Sequence, residues 1–217
     1  MGEPRPTAVL ISGRGSNLAA LLAAAAEPGF PARIQLVLSN QPGARGLDLA
    51  RAAGVAAEVI DHRAFSGREA FERALDDRLR DAGIELVCLA GFMRILGPVL
   101  VAAWQGRMLN VHPSLLPAFP GLDTHRRALA AGVRFHGCTI HVVTAELDAG
   151  PIVVQGVVPV GAADTEDELA ARVLLLEHRC YPLALRLLAS GRARVVGKRV
   201  VIDGARAPAS VLINPTL

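Results

Sequence analysis

Residues 8–26 read AVLISGRGSNLAALLAAAA. Ala8–Ser12 is a short apolar run that ends at a glycine, the pattern of a buried strand. Gly13-Arg14-Gly15 turns the chain. From Ser16 to Ala26 alanine and leucine dominate, residues that lose little on forming a helix. The stretch is therefore a strand, a tight glycine turn and a helix, the repeating half of a parallel α/β sheet.

The same alternation continues along the chain. Ile34–Ser39 reads as a strand before a helix near Ala44–Ala53, and Glu58–Ile60 as a short strand before an amphipathic helix near Arg68–Asp81. Leu86–Ala90 is a buried strand, followed by a short helix after Pro98 and a strand at Met108–Val111. A helix at Asp123–Ala131 and strands at Thr139–Thr144 and Ile152–Val158 follow. Thr165–Ala189 reads as a long helix, with Thr165 and Glu168 spaced as a capping box and Pro182 expected to kink or end it. Arg194–Ile202 reads as a terminal hairpin around Gly197. With no internal repeat and no low-complexity linker, the pattern predicts one α/β domain over 1–217. Its sheet is mostly parallel and twisted with helices on both faces, Rossmann-like, and residues 1–6 and 204–217 form flexible tails.

Composition narrows the function. Apolar residues make up 52% and aromatics 4%, so aliphatic packing builds the core. No secretory leader and no 18-residue uncharged apolar run is evident; the densest stretch, 169–189, is broken by Arg172, Glu177, Arg179 and Arg186. This predicts a cytoplasmic protein with no membrane partner. Cys88, Cys138 and Cys180 are odd in number and widely spaced, which predicts buried free thiols. The net charge of +3 is spread out, with one cluster at Arg192, Arg194, Lys198 and Arg199, and argues against nucleic acid. Lys198, the single lysine, lies in the hairpin, and no glycine-lysine pair precedes a Ser or Thr, so no Walker A loop exists.

In open α/β sheets ligands bind beyond the carboxyl ends of the strands. Four segments fall there: 13–17, 91–96, 110–114 and 145–150. Residues 108–117, MLNVHPSLLP, are the most telling of them. Asn110 and His112 are two apart on a strand and point the same way. Pro113 stops the strand from pairing further. An amide and an imidazole side by side can hold a developing oxyanion or pass a proton. They also fit a strand that simply ends in a turn. Asp148, in ELDAGP, is either a turn former or, if it reaches His112, the group that favours the imidazolium and orients a water or an attacking amine.

The remaining candidates have two readings each. Gly13–Asn17 fits a phosphate site at a helix N-terminus or a tight turn with a serine cap; Leu18 in place of the third glycine excludes the dinucleotide fingerprint. Met93, Arg94, Ile95 and Leu96 suit a flat heterocycle with a hydrogen-bonding edge, or core packing around a surface arginine. Arg68 and Glu177 read alone as a plain surface arginine and a solvated helix residue. His125, His136 and His141 lack metal-ligand spacing, and no metal is expected. His62 and His178 read as surface or structural residues.

Five segments, at 9–18 (VLISGRGSNL), 89–96 (LAGFMRIL), 109–117 (LNVHPSLLP), 120–125 (PGLDTH) and 146–151 (ELDAGP), occur in an order that resembles the folate-dependent glycinamide ribonucleotide formyltransferases. The resemblance implies transfer of a formyl group from 10-formyltetrahydrofolate, a consumed cosubstrate, to the amine of glycinamide ribonucleotide in purine biosynthesis. It involves no metal and no covalent intermediate. It implies Asn110, His112 and Asp148 as the catalytic trio, and Gly15, Ser16, Asn17 and Glu177 as contacts to the ribonucleotide. Folate contacts are implied at Arg68, Met93, Arg94, Ile95, Leu96, Asn110, Thr144, Ala145, Glu146, Leu147 and Asp148. The chain is expected to act as a monomer or homodimer. Departures are small: Arg14 stands at a variable position of the glycine loop and Cys138 where a small residue is common. Other readings are a 10-formyltetrahydrofolate hydrolase or another formyltransferase of the same fold, such as the one acting on methionyl-tRNA. Both of these carry an extra domain that this chain is expected to lack. A non-catalytic folate or nucleotide sensor has no reason to keep the trio together.

Overall fold

A computed structural model describes residues 2–207, 209, 210 and 212–215. Seven strands form one sheet in the order β3-β2-β1-β4-β5-β6-β7, and a separate hairpin pairs β8 with β9. The strands are β1 (Arg5–Ile11), β2 (Ala32–Ser39), β3 (Ala56–Val59), β4 (Leu86–Leu89), β5 (Met108–His112), β6 (Phe135–Val142), β7 (Ile152–Pro159), β8 (Ala193–Val196) and β9 (Arg199–Ile202). The helices are α1 (Ser16–Ala25), α2 (Gly46–Ala52), α3 (Arg68–Asp81), α4 (Pro98–Ala103), α5 (Thr124–Ala130) and α6 (Glu166–Ala189). No described helix is long and apolar enough to cross a membrane.

The alternation of side chains along the strands explains the two layers of helix. Val9 and Ile11 of β1 pack with Leu18 and Leu21 of α1 and with Tyr181 and Leu185 of α6. Their neighbours Ala8 and Leu10 point the other way, onto Phe71, Leu75 and Leu79 of α3 and Leu100 of α4. All three cysteines are buried and free, as composition predicted.

Two expectations are corrected. β1 begins at Arg5, which pairs with Ala32, so residues 5 and 6 belong to the sheet and not to a tail. And α6 runs unbroken through Pro182 to Ala189. A proline inside a helix costs about 3 kcal/mol. Burial of Tyr181, Leu185 and Leu188 on the same helix, each contributing about 1.5–3 kcal/mol, outweighs it. The Thr165–Glu168 capping box forms as expected, in both directions.

β1 to β5 run parallel, whereas β6 and β7 pair antiparallel to their neighbours. The chain moves outward from β1 to β3, then returns to start β4 on β1's other side, so the strand order reverses between β1 and β4. A crevice opens at such a point. Ser12, just past β1, closes its floor: its hydroxyl donates to Asn40 Oδ1 at 2.6 Å and accepts from the Met93 amide at 2.8 Å.

Candidate active site

β5 carries the two residues its sequence singles out. Leu109 faces the α6 core, so Asn110 and His112 face the opposite side, where the apolar cluster of α3 and α4 ends at Met108. Antiparallel pairing then places His141 of β6 directly opposite Asn110, and Thr139 opposite His112. Asp148 arrives from the hairpin loop joining β6 to β7. That loop folds back because residue 150 is glycine: a Cβ there would lie 1.7 Å from the Val142 carbonyl oxygen.

The three side chains converge. His112 Nδ1 lies 3.3 Å from Asp148 Oδ2, with side chains only 6% and 7% exposed. On its other edge, His112 Nε2 donates to the Phe119 carbonyl at 2.9 Å. Both ring nitrogens thus have an oxygen nearby, a carbonyl on one edge and a carboxylate on the other. Asp148 Oδ2 also accepts the Gly121 amide at 2.8 Å. Asp148 holds a left-handed φ of 53°, as does Phe119, which is uncommon for residues with a side chain and tends to cluster at functional sites.

His141 joins this group, although its place in the sequence assigns it no role. Its Nδ1 donates to the Val142 carbonyl at 3.2 Å, which leaves Nε2 to accept the Asn110 amide, also at 3.2 Å. Burial pushes its pKa down, keeping the ring neutral and this tautomer in place. Asn110 is thereby fixed with one amide hydrogen spent on His141 and the second free for a ligand. His141 Nε2 is also 3.8 Å from Asp148 Oδ1. The available signal was register: His141 pairs with Asn110 once β6 is known to neighbour β5 antiparallel.

A second group forms around the glycine loop. Gly15 is the N-cap of α1 with φ 81°, and no side chain caps the helix, so Ser16 is the first helical residue and not the cap. The first amides of α1 are left for an anion. Gly15 must be glycine for a structural reason as well, since a Cβ would sit 2.7 Å from Gly46 Cα. Asn17, buried, donates to Glu177 Oε2 of α6 at 2.7 Å. Glu177 is buried, not solvated. Burial pushes its carboxyl up to about 7, opposed by the Asn17 hydrogen bond.

The other predicted residues surround these groups. Met93, Arg94 and Ile95 are exposed beyond β4, and Leu96 tucks against the α3–α4 core. In the β6–β7 loop Thr144 is half-buried, with its hydroxyl on the Glu146 carbonyl at 3.2 Å, and Ala145, Glu146 and Leu147 are exposed. Large apolar side chains open to solvent here, Met93, Ile95 and Leu147, are what an apolar ring would cover. Arg68 opens α3, half-exposed and 3.9 Å from Glu72; no hydrogen bond joins it to the trio.

The formyl transferase family pattern matches residues 5–185. Phosphoribosylglycinamide formyltransferase of Escherichia coli is 46% identical over 92% of this chain and 94% of its own length. The trifunctional purine biosynthetic protein adenosine-3 of Bos taurus is 49% identical over 87% of this chain, which spans only 19% of that longer protein. The crystal structure of glycinamide ribonucleotide transformylase 1 from Symbiobacterium toebii is similar with a TM-score of 0.90 and 48% identity, covering 93% of this chain and 95% of that one.

Proposed function

Because this chain belongs to the formyl transferase family, we propose that it transfers the formyl group of 10-formyltetrahydrofolate to the primary amine of glycinamide ribonucleotide, a step of purine biosynthesis. The observation that carries this reading is the convergence of Asn110, His112 and Asp148. The amine nitrogen attacks the formyl carbon and forms the new C–N bond, and the carbonyl oxygen becomes an oxyanion. The second amide hydrogen of Asn110 and the charged ring of His112 stabilise that oxyanion. The attacking nitrogen loses a proton, and the folate N10 gains one as its bond to carbon breaks. Asp148 relays this proton through a water and balances the charge of His112. The products are the N-formyl ribonucleotide and tetrahydrofolate.

The uncapped amides at Gly15, Ser16 and Asn17 suit the substrate phosphate, with Glu177 behind them as a ribonucleotide contact. Arg68, Met93–Leu96 and Thr144–Asp148 suit the folate. Incubation with 10-formyltetrahydrofolate, with and without glycinamide ribonucleotide, tests the reading by following tetrahydrofolate release. Release that depends on the ribonucleotide is expected. Release without it points to a hydrolase, and binding without release to a sensor.

A further inference from the structure

The His112–Asp148 pair is gripped from a segment that the trio does not include. Within five residues, Phe119 supplies the carbonyl that accepts from His112 Nε2, and Gly121 supplies the amide that donates to Asp148 Oδ2. One backbone group meets the outer nitrogen of the His112 ring, and the other meets the Asp148 oxygen that faces that ring. The segment does not follow an ordinary backbone path, because Phe119, Gly121 and Asp123 all have left-handed φ, at 53°, 77° and 56°. Such a path persists only where surrounding contacts impose it.

Those contacts come from two side chains. Arg127, one turn into α5, donates through Nη1 to the Pro120 carbonyl at 2.5 Å and the Leu122 carbonyl at 3.2 Å. Its guanidinium also sits 5.6 Å from the centre of the Phe119 ring. The same ring makes an edge-to-face contact with the His136 ring, with centroids 6.0 Å apart. The start of the loop is fastened independently, where Ser114 Oγ donates to the Ala118 carbonyl at 2.6 Å and Thr139 Oγ1 donates to the Ser114 carbonyl at 2.7 Å. Arg127 and Phe119 therefore fix the part that touches the catalytic pair and nothing upstream of it.

We infer that Phe119 and Arg127 are positioning residues: the Phe119 ring, in contact with Arg127 and His136, keeps the Phe119 carbonyl and Gly121 amide on His112 and Asp148. This rests on the formyl-transfer reading for its rate effect but not for its structural effect. Arg127 is exposed, so changing it tests the clamp without disturbing the core. Arg127→Met removes the fork and its charge at similar length. Phe119→Gly removes the ring while glycine accepts the same φ without strain.

Two readouts decide the matter. In the proton NMR spectrum of the intact protein, the His112 Nε2–H resonance, assigned by its loss in His112→Asn, should be slow to exchange. It should broaden or vanish in both variants, and Arg127→Lys should partly restore it. In the formyl-transfer assay kcat should fall about tenfold in each variant, as expected for a small misplacement of a catalytic pair. Both KM values should stay within about twofold. A sharp His112 signal in Arg127→Met overturns the clamp. So does a lost signal with unchanged kcat, or a rise in KM at constant kcat, which would make the loop a substrate cover. The NMR measurement needs no substrate, so failure of the clamp and failure of the formyl-transfer reading are told apart.

Discussion

Glu177→Gln should make the protein more stable at alkaline pH while weakening its hold on the ribonucleotide. The wild-type carboxyl is buried on α6, and burial raises it from 4.5 to about 7. In the unfolded chain it ionises near its ordinary value. A difference of this size corresponds to about 3 kcal/mol favouring the protonated form in the fold. The sign follows from linkage: a group raised on folding contributes its full stability below the unfolded value, near pH 4.5, and loses it as pH rises through about 7. Wild type should therefore weaken between pH 4.5 and 7 and then level off. Glutamine keeps the volume and an oxygen to accept the Asn17 amide, now 2.7 Å from Glu177 Oε2, but it cannot ionise. At pH 8.5 the variant should melt about 6–12 °C above wild type, given 2–4 °C per kcal/mol for a chain of this size. At pH 4.5 the two should coincide. Calorimetry or thermal melts followed by circular dichroism at both pH values provide the measurement, together with the KM for glycinamide ribonucleotide, which should rise. A variant that tracks wild type at both pH values would show that Glu177 is not held protonated by its surroundings, and the argument would fail.

Gly15→Ala should lower the melting temperature by about 5–15 °C, because a left-handed residue costs about 1–2 kcal/mol and crowding against Gly46 about 1–3 more. An unchanged melting curve would remove the close approach of Gly15 to Gly46 from the account. His112→Ala and Asp148→Ala should each cut kcat by about 10²–10⁴. Folate affinity measured by fluorescence titration should stay within a few fold, and a collapse of that affinity with normal turnover would reassign both residues. His141→Gln should lower kcat about tenfold at nearly constant KM, since a freely rotating amide fixes Asn110 less well than a neutral imidazole locked by Val142. Wild-type kcat in that variant would mean that Asn110 needs no partner.

Much of the sheet was legible because glycine and serine punctuate it. Gly13–Asn17 marks the end of β1 and start of α1, and Asn110-x-His112 followed by proline marks the end of β5. Strand direction was not legible in the same way. β6 follows a helix, α5, just as β4 follows α3, yet β6 lies antiparallel to β5. An apolar strand reads alike in either direction, so the partner of Asn110 could not be named and His141 stayed among the unassigned histidines. Glu177 presents the same difficulty at longer range. Its contact, Asn17, is 160 residues away, and nothing local distinguishes it from the solvated glutamates of α6. Pro182 reads as a break because local propensity does not contain the apolar face that α6 buries.

The antiparallel turn at β6 also explains how the site is held. In a wholly parallel sheet every residue beyond the carboxyl edge sits on a βα loop. Here a strand passes back through that edge, so His141 lies opposite Asn110 on a strand that is paired on both sides. The groups assigned to charge stabilisation, Asn110 and His112, are on β5, and Asn110 is oriented by a residue on its paired strand. Electrostatic stabilisation is most effective when donors need not reorganise as charge develops. Proton transfer has a different requirement, because the acceptor must follow a proton that starts on one nitrogen and ends on another. Asp148, the residue assigned to it, is on a loop. On these assignments the oxyanion donors Asn110 and His112 sit on a strand, and the proton relay, Asp148, sits on the β6–β7 loop, where its Oδ2 accepts the Gly121 amide.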